Sequence, residues 1–148
     1  MNERIIVNPE LIDLVSVDIL KARIESEFET LSEDSTEFQF TTSFLNGFNI
    51  DEKLVRCELE INVDKKNEEG RIIAESNFTI SFVYQIENLE EVVEVKDGGI
   101  IFNGAMAATL AGIAFSTTRG ILLSRFQGTT FRDFILPIID PKKMLEDK

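Results

Sequence analysis

Polar and apolar positions alternate along much of the first ninety residues. Over residues 20–30, Leu20, Ala22, Ile24, Ser26 and Phe28 fall on one side, with Lys21, Arg23, Glu25, Glu27 and Glu29 on the other. Period two predicts a strand with one solvated face. Just upstream, Val15, Val17 and Ile19 hold the opposite phase, and a bulge near Ile19–Leu20 reconciles the two. Residues 55–63 alternate most cleanly, with Val55, Cys57, Leu59, Ile61 and Val63 set against Arg56, Glu58, Glu60 and Asn62. A hairpin-type connection over 64–70 leads into a strand over 72–86. There Ile72, Ala74, Phe78, Ile80, Phe82, Tyr84 and Ile86 share a face, and Ile73 and Val83 are apolar exceptions on the opposite one. These strands are expected to pair antiparallel. Residues 31–37 read as a polar loop. The Phe-rich stretch from Phe38 to Phe48 has no steady period and reads as a short strand or an irregular crossing segment.

The second half changes character. Residues 87–99 are acidic and end in Asp97-Gly98-Gly99. Residues 104–127 then predict one long helix, rich in Ala and Leu and free of proline. Pro137 and Pro141 bracket an extended segment. Pro141 suits the first turn of a short helix over 142–146, with Asp140 as its cap. Strands followed by helices predict an α+β fold: an antiparallel four-stranded sheet with a long helix and a short C-terminal helix on one face. A chain of 148 residues suffices for one such domain, spanning 1–148.

The long helix carries a second pattern. Gly104, Ala108, Gly112, Ser116 and Gly120 recur every four residues, and small side chains let backbones approach closely. The row drifts by about 40° per step, because a turn holds 3.6 residues. It suits either close packing on the chain's own sheet or packing against a helix of another subunit. Residues 98–118 carry no charge and are long enough to span a bilayer. Asn103, Thr109 and the run Ser116-Thr117-Thr118 fit a buried helix of a folded domain better. Near the start, Pro9, Glu10 and Asp13 break the apolar run that a secretory leader needs.

Charge narrows the partners. The formal charge is -12, with 23 acidic against nine basic side chains in residues 1–97 and four against six in the remainder. The acidic part repels nucleic-acid phosphates and anionic lipid, so neither nucleic acid nor stable membrane insertion is expected. Histidine is absent and Cys57 is the single cysteine; imidazole triads, imidazole zinc sites and an internal disulfide are thereby excluded. Glu68–Glu69 and Glu90–Glu91 lie in expected loops with no metal-ligand pattern around them. Gly98–Gly99 opens no phosphate loop, and no nucleophile elbow surrounds Ser116. No catalytic, metal or cofactor site is expected. Glu58, Glu60 and Glu75 project from neighbouring strands as either a solvated face or a docking surface for a basic partner. Twelve phenylalanines, without a single tryptophan, are expected to lie mostly in the core, or else partly in a surface groove.

The block Arg119-Gly-Ile-Leu-Leu-Ser-Arg-Phe-Gln-Gly-Thr-Thr-Phe131, continuing to Leu136-Pro137-Ile-Ile139-Asp140, resembles the bacterial SecB-type export chaperones. In that family a helix arginine is followed twelve residues later by the phenylalanine of a Gly-Thr-Phe or Gly-Gly-Phe element, and then by a Leu-Pro segment. The resemblance covers about residues 14–146. It implies a dimer of dimers, a homotetramer with the long helices between its sheets. It also implies a cytoplasmic holdase that keeps exported proteins unfolded in hydrophobic grooves without ATP. Such chaperones hand clients to the translocase motor ATPase, which docks on the acidic sheet face. Asp18, Ile73 and Glu75 match the family's motor-docking positions, Ile73 as an exposed residue. Ala22, Arg132 and Gly120 depart from its pattern. SecB-like proteins also include chaperones tied to toxin–antitoxin systems. The expected function is therefore an ATP-independent holdase, with Phe38, Phe40, Phe44 and Phe78 meeting unfolded or preprotein clients. The interface between subunits would run along Gly104, Ala108, Gly112, Ser116 and Gly120. The alternative is an adaptor for one specific partner, such as an antitoxin. A holdase should expose a groove along Phe38–Phe48, and an adaptor should bury it.

Overall fold

The computed structural model describes residues 6–27 and 37–146, without the side chains of Met144 and Glu146. Four long strands, β1 (Ile12–Ser26), β2 (Glu37–Asn49), β3 (Leu54–Lys66) and β4 (Ile72–Ile86), form an antiparallel sheet in the order β1-β4-β3-β2. A single turn of helix α1 (Leu89–Val92) leads into a separate hairpin of β5 (Val93–Lys96) and β6 (Gly99–Phe102). The long helix α2 (Gly104–Arg125) follows, then an irregular strap over 126–140 and the short helix α3 (Pro141–Glu146). This is the expected α+β arrangement. Asn103 caps α2 by accepting the Met106 N–H at 3.0 Å, and Asp140 caps α3 by accepting the Lys142 N–H at 3.0 Å.

Strand phase follows the sequence, with three interruptions. In β1, Leu20 is skipped between the pairs Ile19–Ile80 and Lys21–Thr79, where the change of phase predicted a bulge. Val15 is skipped in the same way. Each extra residue moves the alternation to the other face, so Leu14, Val17, Ile19 and Ala22 all share the core face of β4. The third interruption is at Ile73, which falls between the pairs Lys66–Ile72 and Lys65–Ala74. Ile72 therefore stands outward beside Lys66, while Ile73, expected to be exposed, is 2% exposed. The expected position of Phe28 on β1 lies outside the described residues.

The Phe38–Phe48 stretch is a full strand, not a short or irregular one. Its thirteen residues pair with β3 without a register shift. Phe38, Phe40, Phe44 and Phe48 keep period two, opposite Lys65, Val63, Leu59 and Val55. Thr42 and Asn46 on that face, and outward-facing Leu45, mask the pattern.

The core lies between the sheet and α2. Met106, Leu110, Ala111, Ala114, Phe115 and Leu122 pack on the alternating apolar faces of β3 and β4. The small-residue row is not the face that packs on the sheet: Gly104, Ser116 and Gly120 are exposed, and Ala108 and Gly112 half-buried. A methyl group at Gly104 or Gly120 would meet nothing within 4 Å, and one at Gly112 would meet Pro141 of α3 at 3.6 Å. On the sheet side the large side chains Met106, Leu110, Phe115 and Leu122 fill the space between helix and sheet, with Ala111 and Ala114 between them. By length and composition α2 could also cross a membrane, but here that side is core.

Tyr84 is fully buried, and its hydroxyl donates to the Leu110 carbonyl of α2 at 3.1 Å. Burial, with a smaller contribution from Cys57, pushes its phenol well above the ordinary range. The folded state thus keeps the Tyr84 proton where the unfolded chain has lost it. Stability from this group is fully present below pH about 10 and falls as pH rises further, by up to about 1.4 kcal/mol per unit. Tyr84 is the only tyrosine, so phenolate absorbance is expected to appear only as the chain unfolds. Y84F is expected to remove this part of the alkaline slope in denaturant titrations.

Candidate client and partner surfaces

The strap over 126–140 seals one flank of the sheet. Phe38 of β2 meets Phe131 and Phe134 at ring-centroid distances of 6.1 and 5.6 Å, and Phe40 meets Phe134 at 5.9 Å. Phe126 stacks on Phe131 at 5.1 Å and meets Phe78 edge-on at 5.7 Å. Six phenylalanines from two strands and the strap thus form one connected cluster. Of the eleven described phenylalanines none is exposed, which accounts for the compositional bias. Phe44 and Phe78 are buried, and Phe38 and Phe40 half-buried. A client could meet Phe38 and Phe40 at their open edges, but Phe44 and Phe78 only by displacing core.

Two cations fasten this strap. Lys65, buried and the last inward residue of β3, donates to the Thr130 hydroxyl at 2.6 Å and its carbonyl at 3.3 Å. Its ammonium also lies 6.0 Å from the Phe38 ring centre. At the other end, the Arg119 guanidinium donates to the Leu136 carbonyl at 2.7 Å and the Pro137 carbonyl at 3.0 Å. Between them Phe131, Phe134 and Leu136 are buried. The sequence offered no sign of the Lys65 contact: a lysine next to Lys66 and before a polar turn looks solvated.

The opposite flank is open. Leu14, Val17, Ile19 and Ala22 sit on the core face of β1, paired with Tyr84, Phe82, Ile80 and Phe78. Yet Leu14 is 44% and Val17 37% exposed, and Ala22 is exposed as well. Ile113 and Ile121 of α2 are only half-buried. They lie about a quarter to half a turn round the helix from Arg119 and Gly112, which face the strap and α3.

The outer face of the sheet carries the acids. Asp18 and Glu75 are exposed there, but they do not meet: Asp18 pairs with Ser81, six residues along β4 from Glu75, or roughly 20 Å. Glu75 lies between Glu25 of β1 and Asp64 of β3 in register. Three carboxylates side by side repel one another, and of the three only Glu25 is drawn into an ion pair, with Arg23 at 2.7 Å. Ile73, by contrast, is no part of an exposed surface. Among the described residues no group of acids, cysteine or histidine is placed to hold a metal.

The hairpin β5–β6 was not foreseen in residues 87–102. Asp97-Gly98 between Val93-Glu94-Val95-Lys96 and Gly99-Ile100-Ile101-Phe102 is a strong two-residue turn signal. The surrounding acids concealed it.

No family model and no curated protein sequence matches the chain. Nine chains of solved structures match its fold. One is the SecB-like chaperone Rv1957 of Mycobacterium tuberculosis, solved in complex with a ChAD peptide from the HigA1 antitoxin Rv1956. The likeness has a TM-score of 0.62 and covers 88% of this chain and 91% of that one, at 7% sequence identity. The chain has a SecB-like fold. The Arg119–Asp140 block that carries the sequence resemblance is, in this SecB-like structure, the strap and its fastening. Arg119 needs the Leu136–Pro137 carbonyls at a set distance, and Phe131 must reach the ring cluster. A spacing without gaps is what such a clamp demands.

Replacing Arg119 by alanine is expected to remove both charge-assisted bonds and cost about 1–3 kcal/mol. Hydrogen exchange should rise over residues 131–140 while the β3–β4 amides stay protected. Unchanged protection of the strap would show that ring packing and the Lys65–Thr130 contact hold it without Arg119.

Proposed function

We propose that this chain is an ATP-independent, non-catalytic chaperone that binds unstructured segments of other proteins. The likeness in fold to a chaperone solved with a bound peptide carries this proposal. Exposed apolar side chains on an otherwise acidic chain support it: Val95, Ile100 and Ile101 on the hairpin. Apolar contacts give affinity with little sequence demand, each well-buried side chain contributing roughly 1.5–3 kcal/mol. The net charge of -12 keeps such a surface soluble. A cytoplasmic location, and handing of clients to the translocase motor through the Asp18 and Glu75 face, belong to the export form of this proposal.

A second reading, a chaperone or adaptor with one private client such as an antitoxin, is favoured by one observation. The stretch Phe38–Phe48 is closed by the strap and offers no continuous groove within a single chain. In either form we propose assembly into a dimer or homotetramer. The open flank of β1 and the exposed positions of the small-residue row of α2, Gly104, Ser116 and Gly120, would be buried there, with half-buried Ala108 at the margin, whereas Gly112 already faces Pro141 of α3.

Two measurements test this. The chain is expected to suppress aggregation of several unrelated denatured proteins at near-stoichiometric ratio without nucleotide; protection of a single client leaves the private reading, and protection of none ends both. Light scattering is expected to give a multiple of 16.8 kDa, and V17K, which sets a charge on the open flank, is expected to shift that mass to the monomer. A monomeric parent chain would contradict the proposed interface.

A further inference from the structure

The hairpin β5–β6 is anchored at its base and bare at its tip. At the base, half-buried Val93 and Phe102 pair across the two strands, and Phe102 meets Phe48 edge-on at 5.0 Å. The Asn103 N–H donates to the Val92 carbonyl at 2.8 Å and closes the root. At the tip, Val95 and Ile100 face each other, 69% and 40% exposed, and Ile101 on the opposite face is 53% exposed. Asp97 and Gly98 make the turn with φ of 49° and 78°.

A two-residue turn of this kind closes on a hydrogen-bonded pair, here Lys96–Gly99. Alternation makes Glu94–Ile101 the next bonded pair and turns the amide and carbonyl groups of Val95 and Ile100 outward. Both edges of the hairpin are thus open to another strand, beside apolar side chains. An isolated two-stranded hairpin is marginally stable in water, and a third strand is what stabilises it. Residues 87–102 hold five exposed acids, Glu87, Glu90, Glu91, Glu94 and Asp97, against Lys96 alone. Lys53 offsets part of this, donating to the Glu87 carbonyl at 2.7 Å and lying 3.8 Å from Glu90.

We propose that this hairpin is a strand-capturing arm. An extended segment of an unfolded polypeptide adds to it as a third strand, laying apolar side chains beside Val95 and Ile100 and lysine or arginine against the acids. A second copy of the chain is the poorer occupant, because it would bring five carboxylates against five. The proposal rests on the chaperone reading and gives it a site that the phenylalanines do not supply.

The test uses the full chain and a fluorescently labelled peptide of alternating valine and lysine, read by anisotropy. The wild type is expected to bind it, more weakly as salt rises, and to ignore the valine–glutamate counterpart. The double variant V95T/I100T, with both changes at exposed strand positions, is expected to bind about tenfold more weakly. Equal binding by the double variant, or none by the wild type, would overturn the arm. A loss of solution mass in V95T/I100T would also overturn it, by showing that the tip joins copies of the chain. The same proteins in the aggregation assay separate the two claims. A wild type that protects clients but ignores the peptide ends the arm and keeps the chaperone; one that binds the peptide but protects nothing does the reverse.

Discussion

A single helix cannot cover a four-stranded sheet. Strands about 4.8 Å apart make a face roughly 15–19 Å wide, whereas a helix with its side chains is about 10–12 Å across. Here α2 covers β3 and β4, whose inward residues are fully buried, and both edge strands need other cover. The chain solves one side by itself. After α2 it turns back as the strap, places Phe131 and Phe134 over Phe38 and Phe40, and is fixed by Lys65 and Arg119. It leaves the other side, over β1, half-covered. The strap, the phenylalanine bias and the open flank are all consequences of that one mismatch in width.

How legible this was depended on whether a pattern was local. The alternation in β3 and β4, the change of phase in β1 and the Pro141 and Asp140 signals at α3 are all short-range, and each element appeared where they placed it. Failures came where distant residues decide. The period of β2 is two throughout, but Thr42 and Asn46 on its inner face looked like breaks. The phenylalanines on that face find distant partners instead: Phe38 and Phe40 meet rings of the strap some ninety residues later, and Phe48 meets Phe102 of the hairpin. Ile73 was put on the exposed face by counting in twos, and one extra residue in the register was enough to bury it. Of the residues singled out for function, the sequence could say what chemistry they carry but not which are covered. Phe44 and Phe78 are core, whereas Asp18 and Glu75 do stand in the open.

Electrostatics divides the molecule in the same way. The outer face of the sheet holds Glu58, Glu60, Asp64 and Glu75, and Glu75 lies in register between Asp64 and Glu25. Such a row costs stability. The inner side is nearly free of charge, and the two cations there serve as donors to the strap. A basic partner and an apolar partner would therefore approach opposite faces, and occupancy of one need not obstruct the other.

If the chain binds clients as proposed, the closed phenylalanine cluster bears on how they would do so. Beyond the open edges of Phe38 and Phe40, a client ring entering this cluster would have to replace Phe131 or Phe134, and burying one such side chain is worth roughly 1.5–3 kcal/mol. The exchange is near-neutral if ring replaces ring, and unfavourable by about that amount if a polar residue is offered. The strap would then act as a built-in competitor that excludes weakly apolar segments. Its irregular backbone makes release feasible, because between Lys65 and Arg119 it is bonded to neither β2 nor α2 through a regular ladder. The hairpin tip, which is already open, carries no such competitor. Under the proposed function, first contact would fall on the hairpin tip and ring exchange under the strap would follow it.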